Sequence, residues 1–410
     1  MSPSTLITNI GELSTMDPSR GADAVLTDAA VVLDGERIAW IGPAAEAPAA
    51  DEIHDAGGRA MLPGWVDSHT HLVFAGDRST EFEARMAGEP YQAGGIAVTT
   101  EATRAAGDFD LTRLLLARQA EAAAGGTTWL ETKTGYGLDV EQEARSARIA
   151  STVVDDVTFL GAHLVPAGSG PEEYTDLVCG PMLAAVRPYV QWADVFCERG
   201  AFTEEQSRRV LTACRDAGLG LRVHGNQLGP GGGVRLAVEF GAASVDHVNY
   251  LADSDVAALA GSWRDWDAQT GSGQPGTVAT CLPACDLSTR QPLAPARRLL
   301  DAGVEIALAS NCNPGTSYTS SMNFCVATAV LQMELSVAEA LRAATYGGAL
   351  ALRRHTGADE DGKRAVGSIA VGHRADVQLL NAPSAAHLAY RPGMPLTAAV
   401  WRAGKRVRKP

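Results

Sequence analysis

A chain of 410 residues exceeds what one simple core usually holds, so a large domain with a smaller companion is expected. With 46% hydrophobic and 20% charged residues, its composition excludes disordered and fibrous classes. The net charge of −14 opposes nucleic acid, only Lys405 to Lys409 is locally basic, and no stretch is apolar enough for a membrane. A small molecule is the partner these numbers leave. The opening MSPSTLITNI carries no secretory signal, so a cytoplasmic site and seven reduced cysteines are expected. Cys281 and Cys285 lack a second pair at structural-zinc spacing and are read as packing, as are Cys179, Cys197, Cys214 and Cys325.

Residues 4–10 and 29–41 are strand-like, and Val31-Val32-Leu33 and Ile38-Ala39-Trp40 flank an Asp34-Gly35 turn that predicts a hairpin. From residue 64 the texture changes, and short apolar runs alternate with helical stretches at 110–124, 139–154, 203–217, 292–302 and 336–352. The strand candidates are 64–71, 127–133, 158–163, 193–198, 220–224, 244–247, 277–282 and 305–310, which is the number that closes a barrel. Strand character returns at 368–371, 377–380 and 398–401. The expectation is an α/β fold: a (β/α)8 TIM-like barrel over 63–365, with a small β-sandwich domain formed by the N- and C-terminal segments, 1–62 and 366–410.

Most barrel runs end in a reactive side chain: His69 and His71, Lys133, His163, Glu198, His224, His247, and Asn311 just past the last. The carboxyl ends of barrel strands meet at one mouth, so these groups become neighbours. His69 and His71 are two residues apart and project to one face, where both can grip an ion. With His224 and His247 they supply the imidazoles of a catalytic zinc or iron site with a position open to water. His54, His355, His373 and His387 are assigned to surface or packing, and Gly-rich 229–233 to a turn.

The string Pro63-Gly64-Trp65-Val66-Asp67-Ser68-His69-Thr70-His71-Leu72-Val73-Phe74, with Arg78 after it, resembles the first metal motif of imidazolonepropionases in the amidohydrolase superfamily. Tyr91 before Gly94-Gly95-Ile96, Lys133-Thr134-Gly135-Tyr136-Gly137-Leu138, Gly161-Ala162-His163, Val223-His224, Asp246-His247 and Asn313-Pro314-Gly315-Thr316-Ser317 extend the resemblance in the same order. It implies hydrolysis of 4-imidazolone-5-propanoate to N-formimino-glutamate, with one divalent ion, zinc or iron, and a homodimeric enzyme. His69, His71 and His224 would be ligands, completed by the side chain at 311. Arg78 and Tyr91 would hold the propionate, and Tyr136, His163, Asn313, Gly315 and Thr316 would surround the ring.

In the expected chemistry an ion-activated water attacks the ring amide, His247 and His163 stabilise the oxyanion, and a proton must reach the departing nitrogen. Two residues depart from the family pattern: Gln227 stands where a glutamate is usual and Asn311 where an aspartate is usual. Neither amide titrates near neutral pH. Three outcomes stay open: His247 or His163 takes the proton role, a carboxylate such as Asp246 or Glu131 does, or the chain binds without turnover. A sister enzyme acting on another cyclic amide or deaminating a ring is the other alternative. Cys312 is a further candidate ligand.

Overall fold

The computed structural model describes residues 3–21, 25–88, 95–357 and 365–408. Eight parallel strands form one sheet in chain order: β1 Trp65–Asp67, β2 Thr127–Lys133, β3 Asp156–Ala162, β4 Trp192–Cys197, β5 Gly220–Gly225, β6 Ser244–His247, β7 Val278–Cys281 and β8 Ile306–Leu308. Their residues are buried almost throughout, as a parallel sheet covered by helices demands. β1 and β8 meet through loop bonds beyond their ends: Asn311 N donates to His69 O at 2.9 Å and His71 N to Cys312 O at 2.9 Å. The seam of the barrel is therefore sealed by the residues expected to line the site.

The helical stretches appear as Asp108–Ala124, Val140–Ser151, Glu204–Asp216 and Ala296–Asp301, and the last as Val337–Arg342 running on to Ala351. Caps mark where three of them begin, the last through a Ser336–Glu339 capping box. Asp139 accepts from Gln142 N, and Thr203 with Gln206 forms a reciprocal capping box.

Both chain ends build the second unit. A sheet of Arg37–Pro43, Ala29–Asp34, Thr5–Ile10 and Glu52–Asp55 faces a six-stranded sheet that mixes Glu12–Ser14, Val25–Leu26 and Ala60–Pro63 with Val377–Leu380, Thr397–Arg402 and Lys405–Arg406. Ile7, Val31, Leu33, Met61, Val377 and Trp401 fill the space between them. The hairpin turn falls at Gly35, whose φ of 57° suits glycine. Two strand expectations need correction. Residues 368–371 form no strand: Gly367 and Gly372 bracket them at φ 81° and 90°, and Ile369 N reaches Thr15 O alone. β1 stops at Asp67, because Asp67 turns to bind Ser310 N at 3.0 Å and its hydroxyl at 2.5 Å.

Candidate active site

Residues 68–71 leave the β1 ladder yet stay extended between two neighbours. Lys133 N donates to Thr70 O at 2.8 Å, and Thr70 N donates to Glu131 Oε2 at 3.1 Å. That grip turns His69 and His71 into the mouth together, with ring centroids 5.2 Å apart. His69 Nδ1 lies 2.7 Å from Asp246 Oδ2, and His224 Nδ1 lies 2.9 Å from Asp194 Oδ2. A carboxylate only accepts, so each Nδ1 carries the proton and each Nε2 keeps its lone pair. His69 Nε2 and His71 Nε2 sit 3.3 Å apart, and the donor atoms of His69, His71 and His224 all lie within 4.8 Å of one another. Burial, joined by nearby cationic groups, holds His69 and His71 well below the ordinary imidazole range, so both are neutral.

Asn311 Oδ1 is buried without a hydrogen-bond partner among the described residues. An orphaned oxygen costs free energy unless something claims it. Three imidazoles and this amide oxygen form a donor set that fits zinc or iron. Backbone strain gathers here as well: Asn226, His247 and Asn311 hold φ of 58°, 84° and 51° at strand ends.

Beneath the histidines lies a buried charge layer. Lys133 Nζ is 3.1 Å from Glu131, 2.9 Å from Asp194 and 3.8 Å from Asp246, while Arg222 is 3.1 Å from Asp246 and 3.6 Å from Glu131. Burial would raise the Asp194 and Asp246 carboxyls, but the cations and imidazoles beside them outweigh it and hold both below the usual range. Lys133, expected at the mouth by its strand-end position, belongs to this layer. Asp246 and Glu131, considered as proton carriers, are fully buried in it and do not line the cavity. Asp194 and Arg222 went unnoticed in the sequence, although a charge inside the apolar runs WADVFC and GLRVHG was the available signal.

The cavity in front of the histidines is lined by Arg78, Tyr136, His163, Gln227, His247, Asn311, Asn313 and Thr316, along with His71 and His224. Ile96 and Phe196 join them, neither of which the sequence pattern singled out as a site residue. His163 Nδ1 donates to Gly135 O at 2.9 Å, which leaves Nε2 as an acceptor, and burial lowers its pKa to about 4. A neutral His163 in that tautomer accepts a hydrogen bond at Nε2 rather than donating one to an oxyanion. Gly135 permits the contact: its φ is 112°, and a Cβ there would meet His163 Nδ1 at 2.8 Å.

Arg78 is buried, and Glu81, missed in the sequence, takes one edge of its guanidinium: Nε to Oε2 at 2.8 Å and Nη2 to Oε1 at 2.7 Å. Gly315 lets Arg78 approach, since a Cβ there would lie 2.2 Å from Nη1. The Asn313 side chain shapes the turn: its Nδ2 donates to Asn311 O and Thr316 Oγ1, and its Oδ1 accepts from Gly315 N and Thr316 N. Gln227 N donates to Glu198 Oε1 at 2.5 Å, and the Gln227 side-chain amide reaches Cys285 Sγ at 3.8 Å. Tyr91 lies outside the described residues. Cys312 is buried beside Asp67 and belongs to none of the metal-type clusters among the described residues. His54, His355, His373 and His387 stand away from the cavity, against Trp401, Trp266, Ser368 and Tyr390 respectively.

A parallel eight-stranded barrel with histidines at its mouth and a β-sandwich from the chain ends defines an amidohydrolase, and the profile of the Amidohydrolase family matches residues 196–407. The chain belongs to the imidazolonepropionase family. It is 78% identical over 405 residues to the imidazolonepropionase of Arthrobacter sp., covering 99% of this chain and 100% of that one. It is 55% identical over 404 residues to that of Mycolicibacterium smegmatis, covering 98% and 96%. Solved structures share the fold at low identity. The zinc complex of atrazine chlorohydrolase from Arthrobacter aurescens aligns with a TM-score of 0.71 and 17% identity over 98% of this chain and 94% of that one. An adenosine deaminase from Xanthomonas campestris with bound zinc aligns with a TM-score of 0.70 and 20% identity over 99% and 93%.

Proposed function

We propose a division of labour among this chain's residues for the reaction of its family. The chain is a metal-dependent hydrolase of cyclic amide C–N bonds that converts 4-imidazolone-5-propanoate to N-formimino-L-glutamate in histidine degradation. The observation that carries the residue assignment is the trio of imidazoles whose donor nitrogens lie within 4.8 Å of one another beside an orphaned Asn311 oxygen. His69, His71 and His224 would hold a single divalent ion, zinc or iron, with Asn311 as the oxygen ligand. When bound, the ion supplies Lewis acidity that lowers the pKa of water and polarises a carbonyl.

The protein's own groups do the rest. Among the described residues Glu81 leaves the Nη1 hydrogens of Arg78 without a partner, and these would take the propionate, with Tyr91 assigned to the same end. His163 Nε2 would accept a ring N–H, fixing the ring's orientation. Tyr136 and the turn from Asn313 through Gly315 to Thr316 would flank the ring, while Phe196 and Ile96 keep water from its faces. Gln227 would hydrogen-bond substrate and carry no proton. His247, neutral because burial depresses its pKa, would take a proton at the attacking water and return it to the leaving ring nitrogen.

Further expectations keep their original grounds. A homodimer follows from the family resemblance, a cytoplasmic site remains an expectation of the sequence reading, and avoidance of nucleic acid follows from the charge of −14. Among the described residues no helix is long and apolar enough to cross a membrane. The division into 1–62, 63–365 and 366–410 is supported by which strands share the mixed sheet.

Turnover of freshly generated 4-imidazolone-5-propanoate, followed as loss of its ultraviolet absorbance with a chelated sample beside it, tests the whole reading. Metal-dependent consumption with formimino-glutamate as product is expected. A metal-loaded enzyme that leaves the compound unchanged would refute it.

A further inference from the structure

A second cluster of metal-type donors lies beside the first and shares none of its ligands. His247, Cys285 and Asp286 each offer a donor atom, and the three atoms lie within 4.8 Å of one another. Cys285 and Asp286 sit in the first turn of the helix Pro283–Thr289 that follows β7, and His247 ends β6 alongside. All three side chains are buried, and His247 Nδ1 has no hydrogen-bond partner among the described residues. Packing alone accounts for a buried thiol, as the sequence suggested for Cys285, and the Asp286 carboxylate accepts from Ala294 N at 3.3 Å, but nothing in that packing pairs the imidazole nitrogen buried beside them.

Zinc bonds of about 2.0–2.3 Å place tetrahedral donors roughly 3.3–3.8 Å apart, so the cluster needs to close by no more than about 1.5 Å. We propose that His247, Cys285 and Asp286 form a second, inhibitory binding site for a soft divalent cation such as zinc. A thiolate, an imidazole and one carboxylate select zinc, cobalt or cadmium over magnesium or calcium. On binding, the Cys285 S–H bond breaks, a sulfur–metal bond forms and the proton leaves to solvent. Entry is through the same mouth: Gln227, which touches Cys285 Sγ, and Asn311 both line the cavity. An ion on His247 withdraws the group that moves protons, so excess metal inhibits. That consequence rests on the role proposed for His247, whereas the binding does not.

Stepwise addition of cobalt(II) to metal-free enzyme, read by elemental analysis, absorption and activity, tests the proposal. The first equivalent is expected to give only the weak visible bands of a nitrogen and oxygen site. The second adds a near-ultraviolet thiolate-to-cobalt band and lowers activity by about a hundredfold, within the range that a positioned acid–base group contributes. Cys285→Ala and Asp286→Asn should each lose the second equivalent and its band while keeping the first. His69→Ala should lose the first equivalent and keep the thiolate band, which separates failure of the first site from failure of the second. Wild-type enzyme that stops at one equivalent with no thiolate band overturns the proposal, as does a band that survives Cys285→Ala. A second equivalent that binds through Cys285 and leaves activity unchanged overturns the inhibitory half.

Discussion

Asp194→Asn is the sharpest probe of the buried layer behind the histidines. The carboxylate accepts from His224 N at 3.0 Å, the His224 ring at 2.9 Å and Lys133 Nζ at 2.9 Å, with no exposure to solvent. An amide of the same shape keeps one oxygen and replaces the other with a donor. His224 Nδ1 and Lys133 Nζ share Oδ2, whereas Oδ1 accepts from His224 N and Val195 N. A donor in the Oδ2 place drives the imidazole proton to Nε2, the atom meant for the ion, and confronts Lys133; a donor in the Oδ1 place confronts two backbone N–H groups where water cannot intervene. Charge balance limits the structural damage: Glu131, Asp194 and Asp246 against Lys133 and Arg222 leave a net −1, and the substitution leaves two acids against two cations. The expected stability loss is therefore that of one unsatisfied donor, about 1–3 kcal/mol. Metal affinity should fall about 10- to 100-fold, or roughly 1.4–2.7 kcal/mol, as for other outer partners of ligating histidines. Competition between metal-free enzyme and a chelator of known zinc affinity reads this directly, with circular dichroism to verify the fold. A folded variant whose zinc affinity stays within twofold of wild type would refute the reasoning.

Three other substitutions reach different parts of the protein. Gly135→Ala places a Cβ 2.8 Å from His163 Nδ1 at a φ of 112°, and should lower kcat by about a hundredfold through displacement of the ring. Steady-state kinetics with an unchanged kcat would show that His163 placement does not matter. Arg78→Lys keeps the charge and loses the planar fork, at a cost of about 1.5–3 kcal/mol in kcat/KM for the propionate substrate. An imidazolone lacking the carboxylate should show no such loss, and equal losses on both compounds would exclude the assigned contact. His355, edge-on to Trp266 and Tyr346, has its pKa lowered to about 4, first by burial and then by Arg353. Its folded pKa lies below the unfolded value, so the neutral ring's stabilisation is present above about pH 6.5 and is lost as pH falls through about 4. His355→Phe should flatten the fall of the thermal midpoint between those limits, and identical slopes for both proteins would count against it.

The sequence by itself determined the architecture and most of the chemistry. Alternation of apolar runs with helical stretches encodes a barrel because period and burial are local properties, readable over ten residues at a time. Strand-end position placed His69, His71, His163, His224, His247 and Asn311 at one mouth for the same reason. What local patterning cannot carry is the registration of distant segments, and there only the tertiary structure decided. His69 meets Asp246 across 177 residues, and Asp67 reaches from the end of its strand to Ser310 across 243. Lys133 and His247 both end barrel runs, yet one lies beneath the histidines and the other lines the cavity. The glycines at 367 and 372 prevent residues 368–371 from forming a strand despite their apolar pattern. Glu81 at Arg78 and Cys285 beside His247 depend on side-chain packing at the ends of separate elements, where neither period nor spacing holds information.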